Sequence, residues 1–435
     1  MKHIVIIGNG ITGITTARFV RKMSDHRITV ISSESDHFYS RTALMYIYMG
    51  HMTYRDTKPY EDWFWQKNDI TLLRDHVIRL NTERKQIALA SGNVQSYDAL
   101  VLCTGSQSNK FGWPGQELNG VQGLYGLQDL ALMEHNSAGV SRSVVVGGGL
   151  IGIEMAEMLL SRNMSVTFLV REAGYMNYIL PPDESNMINR HILEHGIDLR
   201  LETELDEILP DAFGRVGGVQ TSKGETIPCG FVGLTAGVHP NIDLVRGSPI
   251  ETGHGILVND CFETNVDDVY AAGDCAEFRS PLSGRRPIEQ LWYTGRMHGK
   301  TLAQTLCGRL TAYRPGVFFN SAKFFDIEYQ TYGQIPSQTP DEVQSLYWEH
   351  DAGRKSIRIN YRKSDLAVTG FNLMGIRFNH AVCAKWIRER KNIAHVLASL
   401  RDANSDPEYF SKHEREVVGR FENIISATGQ STGNR

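Results

Sequence analysis

The sequence predicts an α/β protein built from two repeated strand–loop–helix units and a C-terminal α+β region. Three observations predict it. "HIVIIGNGITGITTARFV" runs from an apolar strand through Gly8-x-Gly10-x-x-Gly13 into a helical pattern. "SRSVVVGGGLIGIEMAEMLLSRNMSVTFLV" repeats that order around Gly147-x-Gly149-x-x-Gly152. From about Pro315 the pattern changes to short alternating strands and then amphipathic helices.

Each glycine of the first loop has a physical task. Gly8 allows the tight turn, Gly10 lets backbone approach a pyrophosphate, and Gly13 lets helix and strand pack closely. Ile11 and Thr12 fall at the helix N-terminus, where unpaired N–H groups attract phosphate. The second strand, "RITVISSE", ends in Glu34, roughly 20 residues past the last glycine. A carboxylate there can accept hydrogen bonds from both ribose hydroxyls of a dinucleotide. The plain alternative is a solvated loop acid.

The second unit offers Gly147, Gly149, Leu150, Ile151 and Gly152 to a second dinucleotide. One such unit occurs by chance; two, each with strand, helix and strand, point to two Rossmann-like dinucleotide-binding domains. The end of its second strand reads "FLVREAG". Val170 stands where an acid would bind a 2′-hydroxyl, and Arg171 suits a 2′-phosphate. Glu172 could instead serve NADH, so NADH and NADPH both stay open, with a lean to NADPH. Glu154, in the first turns of the helix, points toward whatever the loop holds, or simply favours the helix dipole.

Composition narrows the class. The chain has 435 residues, 41% hydrophobic and 22% charged, with a net charge of −4. That balance argues against broad nucleic-acid binding. No apolar run approaches the ~20 residues of a membrane span. The first strand begins almost at once, which leads us to expect no targeting peptide and a cytoplasmic location. Cys103, Cys229, Cys261, Cys275, Cys307 and Cys383 are scattered without a close pair, which suggests buried thiols and no metal cluster. Sequence leaves a long-range pair open.

Further segments carry a family resemblance. "YDALVLCTGSQSNKF" holds Thr104 and Gly105, "TNVDDVYAAGDCAEF" holds Gly273 and Asp274, and "LTAGVHPNIDL" holds Gly237, Pro240 and Asn241. With the glycine loops, their order resembles the pyridine nucleotide-disulfide oxidoreductases. The resemblance implies FAD in the first unit, NAD(P)H in the second, and a C-terminal interface-type domain. It implies a discontinuous FAD domain at 1–112 and 247–315, an NAD(P) domain at 113–246, and a C-terminal domain at 316–435. It also implies cofactor contacts from Val77, Thr104, Gly105, Gly237 and Gly273, with Asp274 on a ribityl hydroxyl.

"HFYSRTALMYIYMG" selects a branch. Disulfide reductases and peroxidases carry cysteine here; this chain carries Arg41 and none. The stretch resembles the Y-x-R-P-x-L segment of ferredoxin, rubredoxin and putidaredoxin reductases and of nitrite reductase flavin domains. Thr42 replaces the proline, and the apolar "LMYIYMG" replaces a polar run with its lysine. "IEQLWYTGRMHGKTLAQTL" is similar to the flavin-facing helix of the same branch, which implies Trp292 near the ring. Arg41 is then a cofactor contact near flavin or pyrophosphate, and no side chain is expected to act as nucleophile or essential base.

The implied function is an FAD-dependent NAD(P)H oxidoreductase that passes electrons to a carrier protein. The alternatives are an NAD(P)H oxidase or small-acceptor reductase, and a slow-turnover NAD(P)H-sensing flavoprotein. The basic loop with Arg279, Arg285 and Arg286, and "KWIRERK", are candidate docking spots for an acidic carrier. A homodimer fits the resemblance.

Overall fold

The computed structural model describes residues 1–281, 284–405 and 412–422. Its centre is a pair of parallel sheets of five strands each. In the first, strands run in the order Val269–Ala271, Ala99–Leu102, His3–Ile7, Arg27–Ser32, Ile70–Arg74. In the second the order is Asp198–Arg200, Ser165–Leu169, Arg142–Val146, Phe231–Leu234, Val121–Gln122. Each strand that feeds a glycine loop is central in its sheet. Both faces are covered, so Ile4–Ile7 and Ser143–Val146 are buried without alternation.

The chain leaves and re-enters the first sheet through a two-stranded antiparallel ladder, Ser106–Ser108 against Val238–Pro240. Helix Ile11–Met23 packs on helix Trp292–Leu306 at very short range. A Cβ at Gly295 would lie 2.6 Å from Thr12 Oγ1, and one at Gly299 would lie 2.6 Å from Thr12 O. Glycine at those positions lets a segment near residue 300 close over the first glycine loop.

The C-terminal region is a five-stranded antiparallel sheet in the order Phe319–Phe324, Ile327–Gly333, Val368–Met374, Ser356–Arg362, Val343–Glu349. Helices His380–Arg388 and Ile393–Ala398 cover one face. Within "AKFFDIEYQTYG" the chain reverses at Phe325–Asp326, with Phe325 at φ 55°, to join two strands. Within "HAVCAKWIRERKNIAHVLASL" the helical run breaks at Arg390, at φ 54°. The polar tail "SATGQSTGNR" lies outside the described residues.

The apolar "LMYIYMG" has a structural reason. Leu44–Tyr48 forms a short helix, and Leu44, Met45 and Tyr48 enter a core shared with Met133, Met158 and Tyr175 of the second unit and Phe324 of the C-terminal sheet. Tyr48 Oη and Ser137 Oγ are 2.7 Å apart, and the Arg162 guanidinium lies 4.5 Å from the Tyr48 ring centre. A polar sequence here would place unpaired groups in the seam where all three parts meet. The buried Glu184 makes a second tie: Arg358 donates to its Oε1 at 2.7 Å and its Oε2 at 2.8 Å, and to Asp183 at 2.6 Å.

Candidate functional site

The two glycine loops are built alike. A Cβ on Gly8 would lie 2.0 Å from Cys103 O, and one on Gly13 2.0 Å from Gly8 O. On Gly147 and Gly152 it would lie 2.6 Å from Thr235 O and 2.3 Å from Gly147 O. Those four glycines are required by packing. Gly10 is different: a Cβ there meets nothing within 4 Å, and on Gly149 it meets only Tyr178 Oη at 3.8 Å. The middle glycine of each loop therefore faces open space, and neither Gly10 nor Gly149 caps its helix with a side chain. The first helical N–H groups stay available to an anion, which fits a pyrophosphate at each loop.

Thr12 packs under Gly273, Gly295 and Gly299, while Ile11, Leu150 and Ile151 are partly buried against the cores. Val77 starts a strand and is buried among Ile31, Leu89 and Leu102, so its side chain is a core element.

Glu34 is a hub. Arg41 donates to Oε1 at 2.9 Å and Oε2 at 2.6 Å; Tyr39 Oη and the Leu127 N–H donate to Oε1 at 2.5 and 3.1 Å. Burial pushes this carboxyl up, but the Arg41 charge and the bonds from Arg41, Tyr39 and Leu127 hold it below the ordinary carboxylate value. Gly126 permits the close approach, since a Cβ there would lie 2.6 Å from Glu34 Oε1. Oε2 carries one of these bonds and keeps acceptor capacity for a ribose hydroxyl. Glu34 lines an open cleft of about 250 Å³ with Ser35, Asp36, Tyr54, Arg74 and Leu127.

Arg41 is thus not a free cation facing the cofactor. It also donates to Tyr125 O at 2.6 Å and stacks 4.4 Å from the Tyr125 ring centre. It ties Glu34 to the segment that carries Tyr125.

Asp274 follows Gly273 in a 3-10 turn. Its Oδ2 accepts from Ser106 Oγ at 3.0 Å and Tyr125 Oη at 3.4 Å, and burial pushes its carboxyl up. Gln290 Nε2 donates to Ser106 Oγ at 2.8 Å, extending the network to the turn before Trp292. The Gly273 N–H donates to His298 Nδ1 at 3.2 Å, and burial lowers the His298 pKa to about 3, so the ring is neutral. Trp292 opens its helix and stacks edge-on with Tyr293. Thr104 Oγ1 donates to Asn241 O at 2.6 Å, Gly105 O accepts from the Asn241 N–H at 2.9 Å, and Gly237 O accepts from the Asn109 N–H at 3.0 Å. These three residues fasten the crossover between the units.

At the second loop, burial raises the Glu154 pKa to about 7, aided by Glu157 and opposed by Lys323. Lys323 comes from the C-terminal sheet and donates to Glu157 at 2.9 Å. Val170 is buried against Gly148. Arg171 is 71% exposed and donates to Glu172 Oε1 at 3.0 Å, so the cation and the acid read as alternatives are partners.

Within the basic loop Arg279 pairs with Glu251, the largely covered Arg285 makes two bonds to Glu289, and Arg286 is exposed. In "KWIRERK", Arg390 pairs with Asp365 and Lys391 with Glu389. All six cysteines are free, and burial raises the thiols of Cys103, Cys229, Cys275 and Cys383. Sequence reasoning missed Tyr39, Ser106, Tyr125, Gly126 and His298; Tyr39 lies only five residues from Glu34 but in no motif, and the other four act on residues distant in the chain.

Two glycine loops with open helix N-termini, a carboxylate at the end of the second strand and a buried acid in the Gly-Asp turn fit a two-dinucleotide flavoprotein oxidoreductase. The chain belongs to the pyridine nucleotide-disulphide oxidoreductase family, whose model matches residues 2–299. FAD and NAD(P)H are its cofactors. It is 28% identical over 362 residues to a nitrite reductase [NAD(P)H] of Bacillus subtilis, covering 82% of this chain and 44% of that protein. It is 26% identical to a rubredoxin-NAD(+) reductase of Ectopseudomonas oleovorans, covering 74% and 84%. A ferredoxin reductase structure from Rhodopseudomonas palustris matches with TM-score 0.78 and 24% identity, covering 86% and 91%. The chain spans less than half the length of the nitrite reductase. Among the described residues no helix is long and apolar enough to cross a membrane.

Proposed function

We propose that this chain takes hydride from NAD(P)H onto FAD and passes the electrons singly to a small electron-carrier protein of the rubredoxin or ferredoxin kind. One observation carries the reading: the loop His37–Gly50, beside the first glycine loop, contains no cysteine and is committed to packing through Leu44, Met45 and Tyr48. A dithiol relay has no place there. The names of the rubredoxin-NAD(+) reductase and ferredoxin reductase relatives support the same output.

Bound flavin supplies the change from two-electron to one-electron chemistry. The chain's residues position and tune it. We assign FAD to the unit formed by 1–112 and 247–315, NAD(P)H to 113–246, and the covering sheet to 316–435. Gly8, Gly10 and Gly13, with the N–H groups of Ile11 and Thr12, hold one pyrophosphate. Gly147, Gly149 and Gly152, with the N–H groups of Leu150 and Ile151, hold the other. Glu34 accepts the adenosine ribose, positioned by Arg41, and Asp274 accepts a ribityl hydroxyl. Trp292 opens a helix whose first N–H dipoles would favour negative charge on a flavin bound beside them. Glu154 stands at the nicotinamide end, and Arg171 with Glu172 meets the adenosine ribose of NAD(P)H. A cytoplasmic location accords with six free thiols.

Anaerobic titration with NADH and with NADPH, followed by stopped-flow mixing with rubredoxin, ferredoxin or oxygen, tests the proposal. Fast flavin bleaching and reoxidation faster by a carrier than by oxygen are expected. Reoxidation by oxygen at the steady-state rate, with no carrier preference, would sink it and favour a small-acceptor oxidase.

A further inference from the structure

We infer that His191, His195 and Asp326 form a binding site for one divalent transition-metal ion of the zinc type. The site lies at the seam between helix Pro182–Glu194 and the reversal that joins strands Phe319–Phe324 and Ile327–Gly333. No step of the proposed electron transfer uses these residues.

The helix sets the geometry. His191 and His195 are one turn apart, on the same face. His195 Nδ1 lies 2.8 Å from His191 O, so it donates there and leaves Nε2 with its lone pair exposed. The His195 ring stacks flat on Phe325, with centres 4.0 Å apart and planes at 14°. His191 is 1% exposed, and its Nε2 lies 2.6 Å from Asp326 Oδ1. Its other nitrogen, Nδ1, is buried without a hydrogen bond and faces Glu194 Oε2 at 3.5 Å. A metal on Nε2 resolves that orphan: Nδ1 then carries the proton and turns it to a carboxylate, the usual support of a metal-bound histidine.

The donor set fits the class of ion. One ligand atom from each of the three residues lies within 4.8 Å of the others. Zinc–nitrogen bonds of about 2.0–2.1 Å need a modest closing of the two rings and a small outward turn of Asp326. Asp326 is on the surface, so that turn is unobstructed and a water can take the fourth position. Two imidazoles and one carboxylate suit zinc, nickel or copper; calcium and magnesium prefer oxygen. Arg354 lies 3.6 Å from Asp326 Oδ2 and 3.2 Å from Glu194 Oε2. It neutralises the spare carboxylate charge and leaves Oδ1 to the ion. The other histidine cluster, His350, His413 and Glu416, differs: Lys355 Nζ lies 3.1 Å from His413 Nε2 and occupies the lone pair an ion would need.

A metal there would pin the second unit to the C-terminal sheet. The test is calorimetric titration of untagged, metal-stripped, flavin-loaded protein with zinc chloride, paired with thermal melting. One ion per chain and a raised melting midpoint are expected. His195→Ala and Asp326→Asn, both at accessible positions, should each weaken zinc at least about tenfold while flavin content and circular dichroism stay unchanged. Absence of zinc binding to the wild type overturns the site, as does binding that survives both substitutions. In that case the cluster is a histidine–aspartate hydrogen bond and nothing more.

Discussion

Replacing Arg41 with leucine should do more than remove a positive charge. Glu34 and Arg41 are only 22% and 30% exposed, and Arg41 makes bonds to both Glu34 oxygens and to Tyr125 O. The substitution leaves a half-buried carboxylate held by Tyr39 and one N–H, and removes the guanidinium stacked on the Tyr125 ring. Breaking a fully buried pair costs about 3–5 kcal/mol, whereas exposed pairs contribute about 0–1. The partial exposure places this pair between them, at about 1–3 kcal/mol. The clean measurement is a double-mutant cycle with Glu34→Gln, read by urea unfolding of the FAD-free and FAD-loaded protein. A coupling of about 1–3 kcal/mol is expected, with FAD affinity reduced in Arg41→Leu. The pH sign follows from the lowered Glu34 value: the coupling is present above the ordinary carboxylate value and is lost as pH falls below it, through the lowered value of Glu34. Coupling below about 0.3 kcal/mol, with FAD affinity unchanged, would refute the clamp.

Three further outcomes are expected. Gly10→Ala should fold normally and lose FAD, because its Cβ enters open space, whereas Gly13→Ala should unfold the first unit, because its Cβ lies 2.0 Å from Gly8 O; thermal melting and flavin content separate them. Burial raises Glu154 to about 7, so NAD(P)H affinity should fall as pH rises through that value and the carboxylate ionises beside an anionic ligand; Glu154→Gln should flatten the profile of Kd against pH. Arg358→Ala should destabilise by about 3–5 kcal/mol in urea unfolding, since Glu184 loses the guanidinium that neutralises it in the core.

Much of this molecule was determined by sequence alone. Gly8, Gly13, Gly147 and Gly152 could be read because a tight turn and a close helix–strand approach leave a local, spaced signature. The two parallel sheets followed from the same local patterns, and so did the absence of a thiol from the His37–Gly50 loop. The tertiary structure decided the partners. Nothing nearby in the chain announces that Tyr125 O accepts from Arg41 across 84 residues, or that the Leu127 N–H reaches Glu34 across 93. Arg285 looked like part of a docking patch because sequence shows a charge and not its burial on Glu289. "LMYIYMG" looked anomalous for an active-site loop until folding set it between helices of the second unit and Phe324. Periodicity and loop chemistry are short-range and survive in one dimension. Burial and pairing depend on what arrives from the far end of the chain, so only the folded molecule fixes which charges are free to act.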